Sequence, residues 1–112
     1  MIEWVHLETL SDLEDSDRIS YNCDVMIFKH STTCPISHIA KRRIEDNWSS
    51  ELHNIKSFYL DLKAHRDISG MIAEKYQVHH ESPQVLIVRK GECIYDASHL
   101  DITTGEIIEA IA

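Results

Sequence analysis

The 112-residue chain has only two prolines and three glycines, which excludes a Pro-rich linker, a collagen-like repeat or a low-complexity tract. Basic residues are also scarce. Eleven Lys and Arg stand against 19 Asp and Glu, giving a net charge of -8 with His neutral. This excludes nucleic acid as the main partner, because phosphate binding needs clustered Lys and Arg. No apolar run approaches the ~18 residues of a membrane span. The N-terminus lacks a basic segment followed by a long apolar one, so no signal peptide and no membrane association are expected, and the expected location is cytoplasmic. Cysteines number three, an odd count that does not suit a disulfide framework in that compartment. Cys23, Cys34 and Cys93 are therefore each filler, ligand or reactive thiol.

Hydrophobic residues make up 43%, enough to bury a core, and the length suits a single domain over residues 1–112. Short apolar runs alternate with helical patterns. Trp4–His6 reads as a short strand, and Ser11-x-x-Glu14 as a capping box opening a helix. Val25–Phe28 is apolar at consecutive positions, as in a strand covered on both faces. Ile36, Ala40, Ile44 and Trp48, with Ile39 alongside, form a helical stripe after Pro35. Residues 55–62 alternate as a strand. Asp67 is placed to cap a helix with Ile68, Met71, Ile72 and Tyr76 on one side. Val85–Val88 is a second all-apolar strand, Lys90-Gly91-Glu92 a tight turn, and Cys93–Tyr95 its returning partner. Thr103-x-x-Glu106 opens a last helix with Ile107, Ile108 and Ile111 inward. The order β-α-β-α-β-α-β-β-α predicts an α/β fold with a mixed sheet of four to five strands and helices on both faces.

Cys34 lies between a buried strand and a helix. Pro35 suits the first helical position, where its missing N–H costs nothing. The partial positive charge and free N–H groups of a helix N-terminus stabilise a thiolate, the nucleophilic form of cysteine. Lys29, His30 and His38 add positive or polar character nearby, and Thr32 and Thr33 supply hydroxyls. Ser37 stands where a Cys-x-x-Cys motif has its second cysteine. It cannot form a disulfide, but it can donate a hydrogen bond to the Cys34 sulfur. Only one-thiol chemistry remains: Cys34 attacks a mixed disulfide and becomes one itself. Cys23 and Cys93 read as structural filler, and either serves as resolving thiol only if it lies near Cys34. Pro83 reads as a strand-start proline whose X-Pro bond has the option of being cis. His30, Cys34 and His38 flank the site and His79-His80 precede Pro83, yet no compact zinc spacing is present and no metal is expected.

These residues resemble the thioredoxin superfamily, and specifically the monothiol bacilliredoxin family of bacilli and related bacteria. The resemblance runs over nearly the whole chain. It is carried by Phe28-Lys29-His30-Ser31-Thr32-Thr33-Cys34-Pro35-Ile36-Ser37 with its Thr-Cys-Pro-Ile-Ser core, by Ser82-Pro83-Gln84-Val85-Leu86-Ile87, and by Tyr95-Asp96-Ala97-Ser98-His99. It implies a thioredoxin-like fold and Cys34 as the nucleophile that takes bacillithiol from S-bacillithiolated client proteins. Bacillithiol is then the co-substrate, and no cofactor is permanently bound. It further implies a cis Pro83 beside Cys34, Thr33, Pro35 and Ser37 as tuning residues, and the Ser82 backbone pairing with substrate as an added strand. Lys29, His30 and His99 are expected to meet the malate carboxylates of bacillithiol. Two departures matter. Phe28 occupies the place of the buried acid of thioredoxins, and Pro35-Ile36 replaces the Gly-Phe of cluster-carrying glutaredoxins. The competing functions are a thioredoxin-fold protein-interaction module and a glutaredoxin-like thiol or iron–sulfur carrier.

Overall fold

In a computed structural model, which describes residues 2–112, five strands and four helices follow the expected order. The strands are β1 (Trp4–His6), β2 (Val25–His30), β3 (Lys56–Asp61), β4 (Gln84–Arg89) and β5 (Glu92–Ser98). They form one sheet in the order β1-β3-β2-β4-β5. The first three run parallel, while β4 and β5 run antiparallel to their neighbours. The helices are α1 (Leu10–Ile19), α2 (Pro35–Asp46), α3 (Arg66–Tyr76) and α4 (Thr104–Ile111).

Strand parity divides the core in two. Val25 and Ile27 of β2 face one side with Leu13 of α1 and Ile68, Ile72 and Tyr76 of α3. Met26 and Phe28 face the other with Ala40 and Ile44 of α2 and Ile107 of α4. Every residue of β2 is buried, which is why its Val25–Phe28 portion reads as an unbroken apolar run rather than an alternating one. The β4–β5 hairpin turns at Lys90 and Gly91, both at positive φ, and a Cβ on Gly91 would run into the Tyr21 hydroxyl.

Several local expectations are corrected. Helix α1 is capped by Thr9, whose side chain accepts from the Asp12 N–H while the Asp12 carboxylate accepts from the Thr9 N–H. The box therefore opens at Thr9 and not at Ser11. Helix α3 is preceded by His65, so Asp67 lies inside its first turn instead of capping it. Met71 is exposed, leaving Ile68, Ile72 and Tyr76 as its inner side. On α2 the inward stripe is Ser37, Ala40 and Ile44, while Ile36 and Ile39 face outward. A serine occupies the inner position that apolar periodicity assigned to isoleucine, because its hydroxyl has a buried partner. Strand β2 extends beyond Phe28 to include Lys29 and His30, two polar residues that are themselves buried.

Candidate active site

Three segments far apart in sequence meet at one end of the sheet. The first is the turn from β2 into α2. Cys34 is the residue before α2, with Pro35 at the first helical position and no acidic residue in the first turn. Its backbone N–H donates to the Ser31 carbonyl (3.2 Å), and its own carbonyl accepts from the His38 N–H (3.2 Å). The thiol is free, half-buried, and makes no capping hydrogen bond. Beside it the free N–H groups of the first turn and the helix dipole supply the local positive potential. Thr33 and Pro35 are both exposed at the mouth of the site.

The second segment is the Ser82–Pro83 turn. Lys29 of β2 pairs with Gln84 of β4, so the preceding Pro83 lies at the end of β2 from which the Cys34 turn departs. Its peptide bond with Ser82 is cis. Pro83 is buried, and the Ser82 hydroxyl oxygen is buried with no hydrogen-bond partner among the described residues. The third segment is the helical turn His99–Asp101 after β5. The His99 N–H donates to the Pro83 carbonyl (2.9 Å), and Arg43 of α2 donates to the Leu100 carbonyl (3.0 Å). The backbone bond ties the third segment to the second, and the side-chain bond ties it to the last turn of α2.

Ser37 is fully buried and does not bond to Cys34. Its Oγ accepts from the Ser31 N–H (3.0 Å) and lies 2.7 Å from Nδ1 of His30. The expected hydrogen bond to the Cys34 sulfur is replaced by an anchor that holds the β2–α2 turn. His38 adds a second anchor: its Nε2–H donates to the Thr32 carbonyl (2.8 Å). His30 itself is buried, stacked on Phe28 and edge-on to His38. Burial, and then the neighbouring His38 and Lys41, push its imidazole down to about 4, so it is neutral at physiological pH.

Lys29 is also fully buried, on the opposite face of the sheet, where its Nζ donates to the Ser69 carbonyl (3.2 Å) and lies 3.3 Å from Nδ1 of His80. Lys29 and His30 therefore do not reach a ligand at the surface, and their expected contact with ligand carboxylates is withdrawn. Of the three residues given that role, only His99 is exposed; its Nε2 lies 3.4 Å from Glu81. Cys23 precedes the start of β2, and Cys93 pairs with Val88, which itself pairs with Val25. Both lie at the opposite end of β2, a length of roughly 17 Å at 3.3 Å per residue. Neither is placed to resolve a Cys34 adduct. Burial raises the Cys93 thiol further above its ordinary range. Sequence reasoning missed Ser69 and placed His80 only as a neighbour of Pro83, not as a partner of Lys29; a buried lysine becomes informative only once its neighbours in space are known.

The arrangement presents one accessible thiol at a helix N-terminus, with a serine in place of a second thiol, beside a cis-proline turn. Residues 5–107 match the family model described as monothiol bacilliredoxin BrxC. The chain belongs to the monothiol bacilliredoxin family. It is also similar to a solved structure described as a candidate oxidoreductase with a thioredoxin fold, with 31% identity, a TM-score of 0.84, and 97% of this chain and 94% of that one covered. Thioredoxin from Trypanosoma brucei brucei superposes with a TM-score of 0.76 at 13% identity, over 97% of this chain and 88% of that one. Fasciola hepatica thioredoxin does so with a TM-score of 0.72 at 17% identity, over 95% and 94%. The last two show the fold alone. A bacilliredoxin with this site is a thioredoxin-fold protein of the redox class whose motif retains a single cysteine. No helix among the described residues is long and apolar enough to cross a membrane.

Proposed function

We propose that this bacilliredoxin is a monothiol disulfide oxidoreductase that removes bacillithiol from S-bacillithiolated client proteins in the cytoplasm. The Cys34 thiolate attacks the bacillithiol sulfur of the mixed disulfide. A Cys34–bacillithiol disulfide forms, the old disulfide breaks, and the client leaves as a thiolate that takes up a proton. A second thiol from solution then attacks the Cys34 adduct, carries bacillithiol away as a new disulfide and restores Cys34.

The observation that carries this reading is the pairing of a free Cys34 at the α2 N-terminus with a Ser37 whose hydroxyl is committed elsewhere. The first feature sets the sulfur beside the free N–H groups of the first turn of α2, and the second leaves the motif with a single thiol. On this reading the client chain pairs with the Ser82 backbone as an added strand. The malate carboxylates of bacillithiol would be received at the surface by His99, in competition with Glu81.

The test is a bacillithiolated client protein incubated with wild type and with Cys34→Ala, followed by intact-mass spectrometry. Wild type is expected to gain the mass of one bacillithiol on Cys34 while the client loses it. Equal removal by Cys34→Ala would sink the proposal. Client binding without transfer would favour an interaction module, and visible cluster absorbance of protein purified without oxygen would favour an iron–sulfur carrier.

A further inference from the structure

Lys29 is unusual for its place. Its strand neighbours Val25, Met26, Ile27 and Phe28 are apolar and fully buried, as Lys29 is. An ammonium in such a setting loses its hydration, and no carboxylate among the described residues pairs with it to compensate. A methionine would fill the same space without that cost. What the lysine does make is a junction. Nζ meets the carbonyl of Ser69 in α3 (3.2 Å) and Nδ1 of His80 (3.3 Å), and the Ser69 hydroxyl lies 3.2 Å from the same Nδ1. His80 lies three residues before Pro83, on the approach to the cis turn. At the other end of that approach, Gln84, the register partner of Lys29, donates its Nε2–H to the His79 carbonyl (2.9 Å).

Resting on the oxidoreductase reading above, we propose that Lys29, Ser69 and His80 form a latch that holds the Ser82–Pro83 turn in the register a mixed-disulfide client needs. They are positioning residues: none of them touches Cys34. The ammonium of Lys29 and the hydroxyl of Ser69 both present hydrogens to His80 Nδ1, so that nitrogen is the acceptor and the proton of the neutral ring resides on Nε2. Protonating His80 turns Nδ1 into a donor aimed at the donor-only ammonium of Lys29, and the latch opens. The charged groups around this junction are Lys29 from β2, Arg66 from α3, and His79 and Glu81 from the turn itself. Leu60 and Gln84, the strand neighbours of Lys29, are uncharged. Burial, then Lys29, holds the His80 imidazole below its ordinary range, with Glu81 opposing, so the latch is closed at neutral pH.

The test compares full-length wild type, Lys29→Met, His80→Phe and the double variant in transfer from a bacillithiolated peptide. His80 is exposed at the surface, so its replacement remains informative if Lys29→Met does not fold. Each single variant is expected to raise KM about fivefold or more at pH 7 with kcat within about twofold, and the double variant to be no worse than the worse single one, as members of one unit behave. In wild type KM rises on acidification below the ordinary histidine range, and in His80→Phe that rise is absent. Single-variant KM values within about twofold of wild type, or effects that multiply in the double variant, would overturn the latch. Amide exchange of Glu81, Ser82, Gln84 and Val85 is read on the same samples and needs no activity. It is expected to be about tenfold faster in each variant, and unchanged exchange overturns the latch even if wild type transfers nothing, an outcome that counts against the oxidoreductase reading alone.

Discussion

The Oγ of Ser37 lies 2.7 Å from Nδ1 of His30, and both groups are buried. The residue that stands in for a second cysteine is therefore a structural anchor. It satisfies the Ser31 N–H, and with it the turn that delivers Cys34 to the helix N-terminus. A mutation at Ser37 thus acts on the turn before it acts on sulfur chemistry.

Ser37→Ala is expected to leave the Ser31 N–H and the His30 ring without their partner inside the protein. Stranding buried polar groups costs about 1–3 kcal/mol. Urea unfolding at pH 7 should show a lower midpoint with an unchanged slope. Because Cys34 is retained, the variant should still form a Cys34 adduct.

His30 makes stability depend on acid. The fold keeps it neutral down to about 4, whereas an unfolded histidine takes up its proton near 6.5. Its contribution is complete above about pH 6.5 and drains away as pH falls toward 4, because the unfolded state then binds the extra proton. With each pKa unit equivalent to about 1.4 kcal/mol, the loss is on the order of 3 kcal/mol. His30→Phe should flatten this portion of the curve when urea midpoints are compared between pH 7 and pH 4.5.

Lys29 acts in the opposite pH range. Burial pushes its ammonium down from 10.5 to about 8. The charged form is the one the fold disfavours, so Lys29 costs stability at pH 7, and the cost is relieved as pH climbs from about 8 to 10.5. Lys29→Met should therefore be more stable than wild type at pH 7, by about 1–3 kcal/mol after the lost bonds to Ser69 and His80 are counted. The gap should close by pH 10 in parallel denaturation series. Increased stability combined with poorer client binding would mark the lysine as retained for function.

Glu81 lies beside His99 (3.4 Å) and His79 (3.6 Å) at the mouth of the site. Glu81→Gln removes the carboxylate that, on the proposed reading, competes with an anionic ligand for His99. The KM for bacillithiolated client is expected to fall by about twofold or more. His99→Ala should raise it, and both effects should shrink in 0.5 M salt, because exposed charges are screened.

Much of the architecture was legible in the sequence because it rests on patterns local to the chain. Consecutive apolar residues marked β2 and β4, the Lys90-Gly91 pair marked the hairpin, and Cys34-Pro35 marked the start of α2. What escaped were facts of orientation and partnership. Ile36 and Ile39 fit a helical stripe by spacing, yet the buried side of α2 begins at Ser37, since a hydroxyl with partners is as well placed inside as a methyl group. Thr9 and Ser11 are both reasonable caps by type, and Asp12 decided between them. Lys29 and His30 are adjacent in sequence and were read as one basic pair near a thiol. Strand parity sends them to opposite faces of the sheet, where one meets α3 and the other meets α2.

Cys23 and Cys93 at the far end of the sheet leave Cys34 without a colleague inside the molecule. On the proposed reading, whatever attaches to Cys34 remains there until a thiol arrives by diffusion, so the lifetime of the adduct is a concentration-dependent quantity governed by the solution outside. Such a protein would pause in the loaded state and track, molecule by molecule, how much reductant its surroundings contain.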